Sequence, residues 1–116
     1  MERICRVAAA LLLAGCSVSK LSADLRAADA ACQDQDWHDK TSLVDCLAAR
    51  ERPVWAKDEP ATLALYDAFA AERADLAHRF DQGSLTQAQY GAELARTEAE
   101  YRRRIADERR GQAPTP

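Results

Sequence analysis

A chain of 116 residues with a formal net charge of −3 has room for one domain and no positive surplus for gripping nucleic acid. Apolar residues make up 47%, but many are Ala, so the core is small and short of the β-branched residues that a sandwich or barrel requires. Only four glycines and four prolines leave few turns, which favours helices.

The N-terminus carries the most specific signal. Arg3 and Arg6 form a weakly basic start, diluted by Glu2, before the apolar run Val7 to Ala14. That run is too short to span a bilayer, which takes about 20 apolar residues. Its length is that of a secretory h-region. It ends in Leu13-Ala14-Gly15-Cys16, which resembles the lipobox of bacterial lipoproteins. The resemblance covers the first sixteen residues. It implies a diacylglyceryl thioether on Cys16, cleavage after Gly15 and acylation of the new amine. A thiol is the nucleophile such a transfer needs, and the small residues 14 and 15 admit a peptidase. The three acyl chains this implies exceed the two-signal requirement for stable anchoring, so no further membrane helix is required. Ser17 is not the Asp that favours inner-membrane retention in the enteric-type sorting rule, so the outer membrane is favoured over the inner.

The four cysteines then divide by role. Cys5 leaves with the signal, Cys16 takes lipid, and Cys32 and Cys46 remain as a pair. In an oxidising periplasm that pair is expected to form a disulfide. Zinc sites space cysteines two to four apart, and no CxxC motif is present, so a structural bridge is preferred to a metal or redox pair.

Along the mature chain, residues 16–23 read as a lipidated tether and 24–110 as a helical domain. Leu25, Ala28 and Cys32 repeat at helical spacing, and the polar stretch 33–40 interrupts them. Thr41 or Ser42 is expected to cap a short second helix, which Arg52-Pro53 ends, with Trp55 plugging a gap. Asp58-Glu59-Pro60 predicts a third helix running to about Gln82, stopped by a left-handed Gly83. Its inner face carries Leu63, Tyr66, Phe69, Leu76 and Phe80.

The fourth helix has a written start. Thr86 and Gln89 make a capping box, and Leu85 with Tyr90 a hydrophobic staple. Tyr90, Leu94, Tyr101 and Ile105 follow on one stripe. Glu98 with Arg102 and Glu100 with Arg104 are spaced for ion pairs. Residues 111–116 read as a disordered tail. The fold expected is all-α: two short disulfide-linked helices and a long antiparallel helical hairpin.

No constellation points to catalysis. Asp34, Asp36, His38, Asp39 and Asp45 lack the glycine of a calcium loop, so no metal is assigned. His78 has no Ser or free Cys spaced as a nucleophile, so no catalytic residue and no cofactor is assigned. Between residues 21 and 100 there are eight basic and sixteen acidic side chains, whereas Arg102, Arg103, Arg104, Arg109 and Arg110 crowd the end. Cations suit a helix C-terminus; they are also a candidate contact for anionic lipid or an acidic envelope protein.

These features describe a non-enzymatic envelope protein, membrane-attached through Cys16, facing the periplasm and acting in structure or interaction. A module binding a small ligand or lipid, and an accessory or inhibitor of a periplasmic enzyme, are the alternatives. An exposed Tyr90–Leu94–Tyr101 row would favour the interaction protein, and an enclosed pocket of several hundred Å³ the ligand binder.

Overall fold

Residue pattern and capping chemistry produce four helices in the computed structural model, which describes the backbone of residues 9–112 and side chains from Lys20. They are α1 (Ala9–Gln33), α2 (Lys40–Asp58), α3 (Leu63–Asp81) and α4 (Gln87–Gln112), with a 3₁₀ turn at Pro60–Thr62 before α3. Among the described residues there is no strand, and no helix is long and apolar enough to cross a membrane. The thiol of Cys16, expected to carry lipid, and tail residues 113–116 lie outside the described residues.

Each helix packs on the next in the chain, α1 on α2, α2 on α3 and α3 on α4. The disulfide joins Cys32 at the end of α1 to Cys46 in α2, with Cα atoms 5.9 Å apart. Trp37 folds back across the connecting loop, and its indole Nε1 donates to the Cys32 carbonyl at 2.7 Å. That bond satisfies one of the carbonyls left open at a helix end.

Several expected boundaries move. The domain begins before Asp24: Leu21 is buried against Trp55 and Tyr66, and Lys20 reaches Asp24 at 2.8 Å and Asp58 at 3.1 Å. The segment expected as a tether, 16–23, is helical, and α4 continues through Gln112, past the expected start of the tail at 111. The cap of α2 is Asp39, whose carboxylate accepts from the Ser42 amide at 2.6 Å, not Thr41 or Ser42. Thr41 is engaged elsewhere. Its amide and hydroxyl both donate to Asp81 of α3, at 2.8 and 2.6 Å, and the Lys40 amide donates there at 3.0 Å. Bonds from the Thr41 hydroxyl and these amides hold the Asp81 carboxyl below its usual range. One carboxylate from α3 thus satisfies the open end of α2.

Pro53 does not end α2, which continues to Asp58. Proline removes the bond to the carbonyl of Ala49, but both residues lie on the exposed face, where water replaces it. Helix α2 is therefore not short, and Trp55 is buried on it, one turn after Glu51. Asp58 closes α2 instead of capping α3, and Pro60 opens the 3₁₀ turn. The expected stop at Gly83 is present, with φ of +80°, a conformation that costs glycine little.

The capping box at α4 is complete. The Thr86 amide donates to Gln89 Oε1 at 2.8 Å, and the Gln89 amide donates back to Thr86 Oγ1 at 3.1 Å. Leu85 and Tyr90 meet in one cluster, as a staple requires. Phe80 packs against Tyr90 and Phe69 against Tyr101, with centroids 5.2 and 5.7 Å apart.

The apolar core is divided. One cluster joins Val44, Leu76, Ala77 and Tyr90, with Phe80 and Leu94 beside them. The other joins Leu21, Trp55 and Tyr66, with Leu25, Phe69 and Ile105 around them.

Candidate functional site, a charged layer in an interhelical slot

The second cluster borders a layer of charge. Glu51 on α2 and Arg73 on α3 are both buried, at 8% and 7% exposure. Glu51 Oε1 accepts from Arg73 Nη2 at 2.9 Å and from the Tyr66 hydroxyl at 2.9 Å. The guanidinium also lies 5.0 Å from the centre of the Phe69 ring. Hydrogen bonds and a cation–π contact together offset part of the cost of removing the ion pair from water.

Asp29 on α1 approaches Glu51 and adds a second carboxyl. Burial, and then the hydrogen bond and negative charge of Glu51, push its pKa up from 3.8 to about 7. Burial alone would raise Glu51 as well, but bonds from Asp29, Arg73 and Tyr66 outweigh it and leave Glu51 below its ordinary value. The pair therefore holds one proton, carried on Asp29, up to about pH 7. Two buried atoms of this layer remain without a hydrogen-bond partner: Asp29 Oδ1, an acceptor, and Arg73 Nε, a donor.

Both residues line an open groove of about 510 Å³. All four helices supply its wall, and it occupies the space between α1 and α4, which form no extended packed interface with each other. Leu25, Leu47, Trp55, Phe69 and Ile105 give it apolar surface, and Tyr101 joins them from α4. Trp55 stacks on Tyr66 with centroids 5.6 Å apart, which stiffens one wall. At the rim are Gln33, Glu98, Arg102 and Arg109.

The raised pKa of Asp29 has a thermodynamic consequence. The folded state binds this proton more tightly than the unfolded chain, so stability falls as pH rises from about 4 to about 7. Glu51 acts oppositely: its depressed pKa adds stability above its unfolded value of 4.5, lost as pH falls. Asp29→Asn removes the titrating carboxyl while its amide can still donate to Glu51. Its advantage over the wild type should grow from pH 5 to about 7 and level off above, reaching about 1 kcal/mol once solvent screening of this partly buried group is allowed for. Urea unfolding across that range checks this; a constant difference between the two proteins would contradict it.

The residues singled out from sequence are placed differently. Arg109 is bidentate on Glu59, at 2.7 and 2.8 Å, and ties the end of α4 to the α2–α3 connection. Arg104 pairs with Glu100 at 2.6 Å and Arg110 with Asp107. Arg102 and Arg103 are exposed, with no ion pair among the described residues. The Glu98–Arg102 pair is not formed, although Glu98 and Arg102 both reach the slot rim. His78 contacts Gln82 at 3.0 Å on the exposed end of α3. Among the described residues no three His, Cys, Asp or Glu side chains are grouped to hold a metal.

Asp29, Glu51 and Arg73 were not candidates from sequence, yet their positions carry a signal. Asp29 follows Leu25 by four residues and precedes Cys32 by three; Glu51 lies midway between Leu47 and Trp55 at the same spacing; Arg73 lies between Phe69 and Leu76. Each is a charge written into an apolar stripe, on a separate helix. Comparison with known proteins gives no match, whether to a family model, a curated protein or a solved structure.

Proposed function

We propose that the protein is a lipid-anchored component of a bacterial cell envelope, tethered through Cys16, whose helical domain is a non-enzymatic binding module facing the periplasm. The observation that carries the binding reading is the 510 Å³ slot with its charged layer. Its volume lies within the range of small-molecule sites and its walls are largely apolar, but it is an open groove and not the enclosed pocket expected of a ligand binder. The rival interaction surface has less support, because Tyr90 and Tyr101 are buried rather than exposed in a row. Leu94 packs against the core beside Tyr90.

The anchor rests on Leu13-Ala14-Gly15-Cys16. The bond between Cys32 and Cys46 agrees with an oxidising compartment. The antiparallel hairpin of α3 and α4 is the arrangement that the Phe80–Tyr90 and Phe69–Tyr101 contacts support. In this setting the lipid holds the domain at the membrane, outer rather than inner by the Ser17 rule, while the slot faces the periplasm. Arg102 and Arg103 remain the side chains with which the α4 end would meet anionic lipid or an acidic partner.

Palmitate labelling in a bacterial host tests the anchor. The wild-type chain should incorporate label, and Cys16→Ser should abolish it together with cleavage after Gly15. Undiminished labelling of Cys16→Ser would contradict the assignment.

A further inference from the structure

Charge in this bundle is divided along its length. The Lys20–Asp58, Arg52–Asp67, Phe69–Tyr101 and Arg109–Glu59 contacts set the level of each helix against the next. Residues 20–27, 52–68 and 102–112 make up the end that holds the α2–α3 connection, and 28–51 and 69–101 the end that holds the disulfide. The first end carries nine Lys and Arg against six Asp and Glu, the second five against twelve. A domain that is acidic in sum therefore has a basic pole.

Ion pairs within the domain do not cancel that pole. Among the described residues Arg26, Lys57, Arg102 and Arg103 are exposed and make no ion pair, and all four belong to the basic end. At the other end, among the described residues, Arg50 alone is exposed and unpaired. There Lys40 lies over the Tyr90 ring, and Arg79 faces Asp75 at 3.7 Å.

The basic pole is also the end at which lipid would be attached. The backbone of α1 runs from Lys20 back through Cys16, one turn further from the disulfide. Lys20 reaches Asp58, and Arg109 reaches Glu59, the next residue in the chain. The lipid-attachment residue and the arginines of α4 thus flank one connection. An acidic protein would be met by arginines at any level of the bundle; a membrane surface meets only those at the tether.

We propose that the basic pole docks on an anionic phospholipid surface, with Arg102 and Arg103 of α4, Lys57 of α2 and Arg26 of α1 towards the headgroup phosphates and the acidic pole held away from them. This rests on the Cys16 anchor and the antiparallel order of α3 and α4 proposed above, and adds an orientation that the lipid alone does not fix. Attraction to such a surface reaches about one Debye length, about 8 Å at physiological salt. Lys40, about 25 Å from Lys57 along α2, lies far outside that range.

Vesicle binding tests the docking, with the full chain carrying Cys16→Ser so that attachment does not depend on lipid. Vesicles of phosphatidylcholine alone are compared with equal parts phosphatidylcholine and phosphatidylglycerol, at about 0.05 and about 0.5 M salt. Two further proteins lose two charges each: Arg102→Gln with Arg103→Gln at the basic pole, and Lys40→Gln with Arg79→Gln at the acidic one. The Val7–Ala14 run is common to all three, and the substituted side chains lie outside both apolar clusters. The parent should favour the anionic vesicles at least tenfold and lose that preference at the higher salt. A Lys or Arg near an anionic surface contributes about fivefold to partitioning. The Arg102 and Arg103 variant should therefore bind at least tenfold more weakly, and the Lys40 and Arg79 variant within about twofold of the parent. Equal weakening by both variants would overturn docking through one pole, and no preference for anionic vesicles would overturn a phospholipid surface as the partner. Either failure leaves the anchor standing, because palmitate labelling reads Cys16 alone.

Discussion

Replacing Arg73 by Met should cost about 3–5 kcal/mol, the largest single-residue loss expected in this fold. The Met side chain keeps most of the packing against Phe69 but removes the cation beside Glu51. Glu51, 8% exposed, would then hold its charge with only the Tyr66 hydroxyl and Asp29 for support. A domain of this size has about 5–15 kcal/mol in total, so the variant would lie near its unfolding threshold at 25 °C. The double variant Arg73→Met with Glu51→Leu distinguishes charge from packing. Removing both ions together should recover most of the loss, since a buried pair is often replaced by apolar residues at little cost. Urea unfolding of the three proteins checks it. A loss below about 1 kcal/mol for Arg73→Met would mean that water reaches Glu51.

The second large effect lies at the disulfide. Cys32 and Cys46 are 14 residues apart in sequence, and closing a loop of that length stabilises by about 3 kcal/mol in the chain-entropy description. Replacing both by Ala should therefore lower stability by about 3 kcal/mol. Treating the wild type with dithiothreitol should reproduce most of that shift, because Cys32 is fully buried but Cys46 is partly exposed. The damage should fall on α1 first. Apart from the bridge, α1 is held to its neighbours by the Lys20–Asp58 contact, by Leu21 and Leu25 in the Trp55–Tyr66 cluster and by Asp29 beside Glu51. Hydrogen exchange should show α1 amides opening in the reduced protein while α3 and α4 stay protected. Uniform loss of protection across all four helices would show instead that the bridge stabilises the domain as a whole.

What the chain discloses before folding depends on how local the physics is. The Thr86–Gln89 box, the Leu85 staple and the Gly83 stop each involve residues within five of one another, and all three appear as read. The Cys32–Cys46 bridge followed from counting cysteines. Where a distant partner decides, local reading fails. Asp39 takes the α2 cap because Thr41 is drawn to Asp81, 40 residues away. Pro53 stays inside α2 because Trp55 and Glu51 have partners on α3 that hold the helix together beyond it. Helix α1 extends past Asp24 because Leu21 finds Trp55 and Tyr66.

The charged layer was the least visible feature of all. Its residues lie on α1, α2 and α3, and an acid or arginine one turn from an apolar neighbour is common on any amphipathic helix. Only when three helices place such positions at one level does the pattern acquire meaning. Sequence drew attention to the arginines of α4 instead, because they are adjacent in the chain. Of these, Arg109 serves as a structural clasp on Glu59, and Arg104 and Arg110 pair within their own helix.

Groove and charge layer meet at Asp29, the carboxyl that the fold brings to Glu51 without a cation of its own. Its titration can be observed directly by carbon-13 NMR of the side-chain carboxyl in the oxidised full chain, assigned with Asp29→Asn. A midpoint near pH 7 is expected. A midpoint near 4 would show Asp29 solvated and apart from Glu51, and the charged layer would then lack its second carboxyl.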